Sequence, residues 1–215
     1  ETWTGRIYLM AAGASASALT TWSPWSQSAV RRSTGDLRFW MDVGAGKVKG
    51  VVGDVSLSDV AVSLADDLPD MAFARVSGRM GWHRQGPDQI YYVEKLRFVT
   101  PDGHHAEPAS VKVTVRPTPA GKVETAKIEA SSLRLEALTA LSGALPLPKP
   151  AHDWIANLNP RGFIEQMRLE WLGKERFHLQ ARFREGGMNA SASLPGFTGL
   201  SGEIDTDQDR GLARL

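Results

Sequence analysis

The residues that could do chemistry are few, and their spacing serves it badly. Asp205, Asp207 and Asp209 alternate like the start of a calcium loop. Such a loop needs glycine at its sixth position and an acid at its twelfth. Arg210 fills the sixth and the sequence ends before the twelfth, so the run reads as a polar hairpin tip. The segment Gly44–Gly50, GAGKVKG, misses both phosphate-binding patterns. A dinucleotide fingerprint would want glycine where Lys49 stands, and a P-loop would want Ser or Thr where Val48 stands. It too reads as a hairpin turn. Of the five histidines, His104 and His105 follow a Pro-Asp-Gly turn, His178 alternates with arginines, and none belongs to an HExxH pair. No serine sits in GxSxG, no carboxylate pair stands out, and there is no cysteine. Thiolate metal sites, iron–sulfur clusters, disulfides and cysteine nucleophiles are thereby excluded. The expectation is a protein that is not an enzyme, with no metal and no cofactor.

Seven tryptophans (Trp3, Trp22, Trp25, Trp40, Trp82, Trp154 and Trp171) offer surfaces on which a sugar could stack. Trp82 and Trp171, however, fall in phase with neighbouring apolar residues, which points to burial or to contact with something apolar. Lys and Arg number 25 against 24 Asp and Glu, a net charge of +1 without a clustered basic excess. No nucleic-acid partner is therefore expected. The longest nearly uncharged stretch, Ile7 to Val30, is broken by Ser, Thr, Gly and Pro. It fits neither a bilayer span nor a signal peptide. The chain starts at Glu1 and finishes in an apparent hairpin, Glu203 to Leu215, and is expected to be part of a longer protein.

The elements carrying these residues have a period of two. Met167, Leu169 and Trp171 alternate with Arg168 and Glu170. Phe177, Leu179, Ala181 and Phe183 alternate with His178, Gln180, Arg182 and Arg184. The two runs read as an antiparallel hairpin with one apolar and one polar face. Val111, Val113 and Val115 repeat the pattern, as do Val76, Gly78, Met80 and Trp82. Between Lys47 and Leu64 the apolar phase switches, from Val55 and Leu57 to Val60, Val62 and Leu64. One extra residue near Ser58 and Asp59 would restore the face, so a bulge is expected there. Further strands are expected at 5–10, 36–41, 90–99, 123–130, 188–194 and 199–205, roughly ten in all by this count of alternating runs. Helix is expected only near 14–21 and 134–142, the second from the spacing of Leu135, Leu138, Leu141 and Leu145. The run from Gly143 to Pro150, GALPLPKP, should be an extended spacer. A sequence echo also stands out: LPDMAFARVSGRM from Leu68 and LPGFTGLSGEI from Leu194 share Leu-Pro and a later Ser-Gly.

The run LNPRGFIEQMRLEW, Leu158 to Trp171, resembles a recurrent segment of YhdP-like proteins in the AsmA-like superfamily. LPGFTGLSGEI and VSLSDVAVSLADDLP followed by VSGRMGW resemble the same family, so the likeness spans most of Lys47 to Leu215. The resemblance implies a mainly β fold: a long, antiparallel, strongly curved sheet forming an open groove, with two short helices. It implies one groove segment over 1–145, a Pro-rich connection over 146–157 and a second segment over 158–215. It further implies a section of a bridge-like lipid transfer protein in the periplasm, carrying phospholipid acyl chains between inner and outer membranes. The parent protein would be anchored in the inner membrane, and neighbouring groove segments of the same chain would be its partners. The groove candidates are Val76, Met80, Trp82, Met167, Leu169, Trp171, Phe177, Leu179 and Phe183. Little dependence on the lipid head group is expected, since no basic or polar cluster suggests selection. Alternation alone leaves two alternatives open: a closed β-sandwich serving as a scaffold, and a carbohydrate-binding β module.

Overall fold

The computed structural model describes residues 3–15, 30–63, 68–145, 149–173, 176–191 and 195–215. Eleven strands form one antiparallel sheet in strict chain order: β1 (Thr4–Ser15), β2 (Val30–Gly44), β3 (Lys47–Val62), β4 (Met71–Gln85), β5 (Asp88–Val99), β6 (His105–Pro117), β7 (Val123–Arg134), β8 (Arg161–Trp171), β9 (Phe177–Met188), β10 (Phe197–Asp207) and β11 (Gly211–Arg214). Every strand pairs only with its sequence neighbours, so the sheet is a meander left open at β1 and β11. Two helices, α1 (Leu135–Leu141) and α2 (Lys149–Leu158), interrupt the meander between β7 and β8. The strands on either side still pair directly, Ala126 opposite Trp171 and Leu133 opposite Ile164. No helix of the described residues is long and apolar enough to cross a membrane.

Local chemistry explains most of the boundaries. Ala45 and Gly46 both take positive φ, 53° and 69°, as a two-residue hairpin of the primed type requires. At the last hairpin, Asp207 Oδ1 accepts the backbone N–H groups of Asp209 and Arg210 at 2.8 and 2.9 Å. Both segments that mimic ligand loops are thus turns.

The expected bulge lies where the phase switch put it. Asp59 has φ 49°, and the register of β3 against β2 slips between Ser58 opposite Thr34 and Ala61 opposite Arg32. Comparable left-handed residues interrupt four more strands: Gly13 in β1, Lys95 in β5, Ser132 in β7 and Glu185 in β9. Three of these expose an N–H that a side chain from the following strand captures. Asp36 Oδ1 takes Gly13 N–H, Ser110 Oγ takes Lys95 N–H, and Ser201 Oγ takes Glu185 N–H, at 3.1 to 3.4 Å. The Ser-Gly of the sequence echo marks the same feature. Gly78 faces the Lys95 bulge across β4–β5, and Ser201 faces the Glu185 bulge across β9–β10. Each bulge bends its strand and strengthens the twist, and together these five positions crease the sheet between β1 and β9.

Several expectations need correcting. Ala14 and Ser15 finish β1 instead of starting a helix, because Ala14 pairs with Gly35 and Ser15 with Thr34 beyond the Gly13 bulge; residues 16–21 lie outside the described residues. No separate strand starts at Met188, which closes β9; residues 189–191 are irregular and 192–194 lie outside the described residues. The supposed Pro-rich spacer ends in helix, since Pro150 stands in the first turn of α2, where its missing N–H costs nothing. Leu158 is 3% exposed at the far end of α2. After α1 the chain tightens into a 3-10 turn, Ser142–Ala144, and does not stop at a left-handed Gly143.

Candidate functional site

Antiparallel partners point to the same side of a sheet, so the register defines each face without ambiguity. One row crosses all eleven strands: Leu9, Phe39, Gly53, Met80, Val93, Val111, Ala130, Met167, Ala181, Ile204 and Ala213, each paired with the next. Every member is apolar. The row two residues away runs Ile7, Met41, Val51, Trp82, Tyr91, Val113, Ile128, Leu169, Leu179, Thr206 and Gly211, and carries two separate hydroxyls, Tyr91 on β5 and Thr206 on β10.

All nine groove candidates stand on this face. Met80 and Met167 belong to the first row, and Trp82, Leu169 and Leu179 to the second. Trp171 pairs with Phe177 at the hairpin-tip end, while Phe183 pairs with Ile164, and Val76 with Leu57 and Phe98, towards the crease. They are not one compact cluster. Val76, Met80 and Trp82 on β4 are separated from the β8–β9 group by β5, β6 and β7, whose Val93, Val111 and Ala130 continue the surface. Sequence reasoning missed these bridging positions and the aromatic or aliphatic members from β1 to β3. The alternation of Val111 and Val113 was legible; their place between two named groups was not.

Burial along the face is uneven. Near the crease, Ala14, Leu37 and Val55 form a buried cluster, at 8%, 3% and 7% exposure, with Phe39, Leu57 and Met80 packed against it. Away from it the face opens: Ile7, Tyr91 and Ile204 are 36–40% exposed. Among the described residues no second sheet covers it, and α1 packs on β8 and β7. The accessible surface is 13657 Å². A compact monomer of this mass would expose about 9,700 Å². A single layer, with both faces presented to solvent, accounts for the excess.

The opposite face carries the charges. Arg6 grips Asp42, Arg79 grips Asp54 and Arg116 grips Asp88 through two hydrogen bonds each, at 2.7 to 3.2 Å. Arg182 donates twice to Glu203, and Asp205 receives Gln180 and His178. The Arg6, Arg79 and Arg116 hydrogen bonds hold the carboxyls of Asp42, Asp54 and Asp88 below the ordinary range. Asp205 is lowered in the same way, by Gln180 first and His178 second. On the same face a tilted aromatic pair, Tyr8 and Trp40, with ring centres 5.4 Å apart, stands on β1 and β2 beside the Arg6–Asp42 pair. Tyr92, three strands beyond Trp40, has its hydroxyl pKa raised by burial and by Glu94.

This arrangement can hold a long apolar ligand across the strands, with water on the other side of the same backbone. A model of the YhdP protein family matches residues 1–215 of the chain, a longer span than the sequence segments that resemble it. No curated protein and no solved structure matches the chain.

Proposed function

The chain belongs to the YhdP family, and from that premise we propose that it is a section of a bridge-like lipid carrier whose apolar face conducts phospholipid acyl chains. The observation that carries this reading is the unbroken apolar row from Leu9 to Ala213 with no second layer over it among the described residues. An apolar sheet face needs a covering layer or a ligand. Eleven strands at about 4.8 Å spacing give a track roughly 50 Å long, ample for an acyl chain. Each buried methylene contributes up to about 0.8 kcal/mol, so the track retains a lipid without covalent or metal chemistry. In this reading the protein is not an enzyme. It works in the periplasm between inner and outer membranes, within a parent protein anchored in the inner membrane. The open edges of β1 and β11 accept neighbouring groove segments of the same chain by continued strand pairing.

Organic-solvent extraction of the purified protein, followed by mass spectrometry, tests the proposal. Phospholipid at stoichiometric yield is expected. Lipid-free protein that is compact, stable and unable to take up a fluorescent fatty acid would overturn it in favour of a scaffold.

A further inference from the structure

The apolar face carries a polar block at the hairpin-tip end of β4 and β5. Trp82 pairs with Tyr91 and Arg84 pairs with Gln89, so the four side chains form a two-by-two patch on the same face. Their neighbours across the flanking strands are Val51, Val113 and Val115. The Trp82 indole N–H is buried and has no hydrogen-bond partner among the described residues. A buried donor left without an acceptor costs free energy, and its persistence calls for a missing partner. Tyr91 donates its hydroxyl to Gln89 Oε1 at 2.7 Å, which aims the amide and leaves its NH₂ to donate elsewhere. Arg84 has no ion pair among the described residues. The nearest acid in sequence, Asp88, is held by Arg116 on the opposite face. Indole N–H, amide NH₂ and guanidinium are thus all donors, one is cationic, and the block contains no acid.

We propose that this block is a head-group subsite, binding the phosphodiester oxygens of a phospholipid whose acyl chains lie on the apolar face. The inference rests on the lipid-carrying reading and deepens it. Phosphate matches the block because it supplies several anionic acceptors, and a guanidinium binds them through two parallel hydrogen bonds. Its place at the tip end, where Tyr91 is 40% exposed, leaves the head group at the water boundary while the chains run along the rows of methyl groups. The four residues come from two strands, and only the β4–β5 register joins them.

The test compares a short-chain phosphatidylglycerol with the diacylglycerol of the same chains, titrated calorimetrically into wild type, Trp82→Phe and Arg84→Gln. Trp82→Phe keeps the ring and removes the N–H; Arg84→Gln sits at an exposed hairpin tip, and the melting transition of each variant is checked first. Each variant is expected to weaken phosphatidylglycerol about tenfold, the worth of one charge-assisted hydrogen bond, while diacylglycerol changes less than about twofold. Equal weakening of both probes, or no weakening of either, overturns the subsite and leaves the lipid reading standing. Inorganic phosphate bound alone, with the same dependence on both residues, overturns the assignment to a lipid head group. Wild type that takes neither lipid overturns the lipid reading and the subsite together.

Discussion

The row from Leu9 to Ala213 and the row from Tyr8 to Leu212 lie one residue apart on every strand, yet they are different surfaces. The first is apolar on all eleven strands. The second runs Tyr8, Trp40, Val52, Gly81 and Tyr92, and then Lys112, Glu129, Arg168, Gln180, Asp205 and Leu212. Strand pairing supplies the same backbone hydrogen bonds to both. The difference teaches where binding and solubility reside. One face is apolar except for the block around Arg84, and the other is laced with ion pairs that keep a single layer in water. The second row is itself uneven, aromatic at Tyr8, Trp40 and Tyr92 and charged or polar from Lys112 to Asp205.

The strongest way to break this contrast is a charge on the apolar side. Leu179→Glu is expected to abolish lipid uptake, because an unpaired ion against acyl chains costs several kcal/mol. The same carboxylate meets water on an open face, so the melting transition should survive. Uptake of a fluorescent fatty acid and thermal melting, measured together, check this. Loss of the fold would instead indicate that the face is covered.

Next in size is the crease that keeps both rows in register. Gly162 has φ 111°, and a Cβ there would stand 2.7 Å from the Glu185 carbonyl oxygen of the bulge opposite. Gly162→Ala is expected to destabilise by about 3 kcal/mol, combining backbone strain and the clash. Gly46→Ala, also at positive φ but with open space around it, should cost about 1 kcal/mol. Denaturant titration of the two variants compares crease with hairpin tip. Ser201→Ala removes the acceptor of the Glu185 N–H, and should cost about 1 kcal/mol, with exchange of that amide accelerated.

Effects on the charged face should be smaller. Asp54→Asn breaks the two-bond grip of Arg79, and is expected to cost less than about 1 kcal/mol, less still in high salt. Acid sharpens the same point. The folded pKa values of Asp42, Asp54, Asp88 and Asp205 are depressed, so their contribution is complete above the unfolded value of about 3.9. It is lost as pH falls through the lower folded values. A melting temperature flat from about pH 7 to 5, then declining below about pH 4, is expected. Gln180→Glu, on the polar side next to Leu179, removes the donor to Asp205 and sets two carboxylates across β9–β10, so it should lower melting slightly and leave uptake unchanged. A loss of uptake there would mean the faces are reversed.

The rows were legible wherever alternation was clean, as from Met167 to Trp171 and from Phe177 to Phe183. The Asp59 bulge was legible from its switch of apolar phase. The same signal exists at Lys95, between Val93 and Leu96, and at Ser132, between Ala130 and Leu133, and would have found both bulges. Helix α2 was hidden by Pro150 and the prolines ahead of it, although Trp154, Ile155 and Leu158 carry helical spacing. The Trp82–Tyr91–Arg84–Gln89 block had no signature at all, since Arg84 and Gln89 fall at a polar hairpin tip and look like ordinary turn-flanking residues.

What the sequence determined by itself was the period-two alternation, and with it the strand class and the identity of each strand's apolar side. That information is local, because successive side chains of an extended chain must point to opposite faces. Whether the apolar sides of eleven strands would merge into one uncovered surface, or fold over onto each other as a sandwich, depends on contacts between residues far apart in the chain. Strand register, the aligned bulges and the layer count settle that, and they exist only in the tertiary structure.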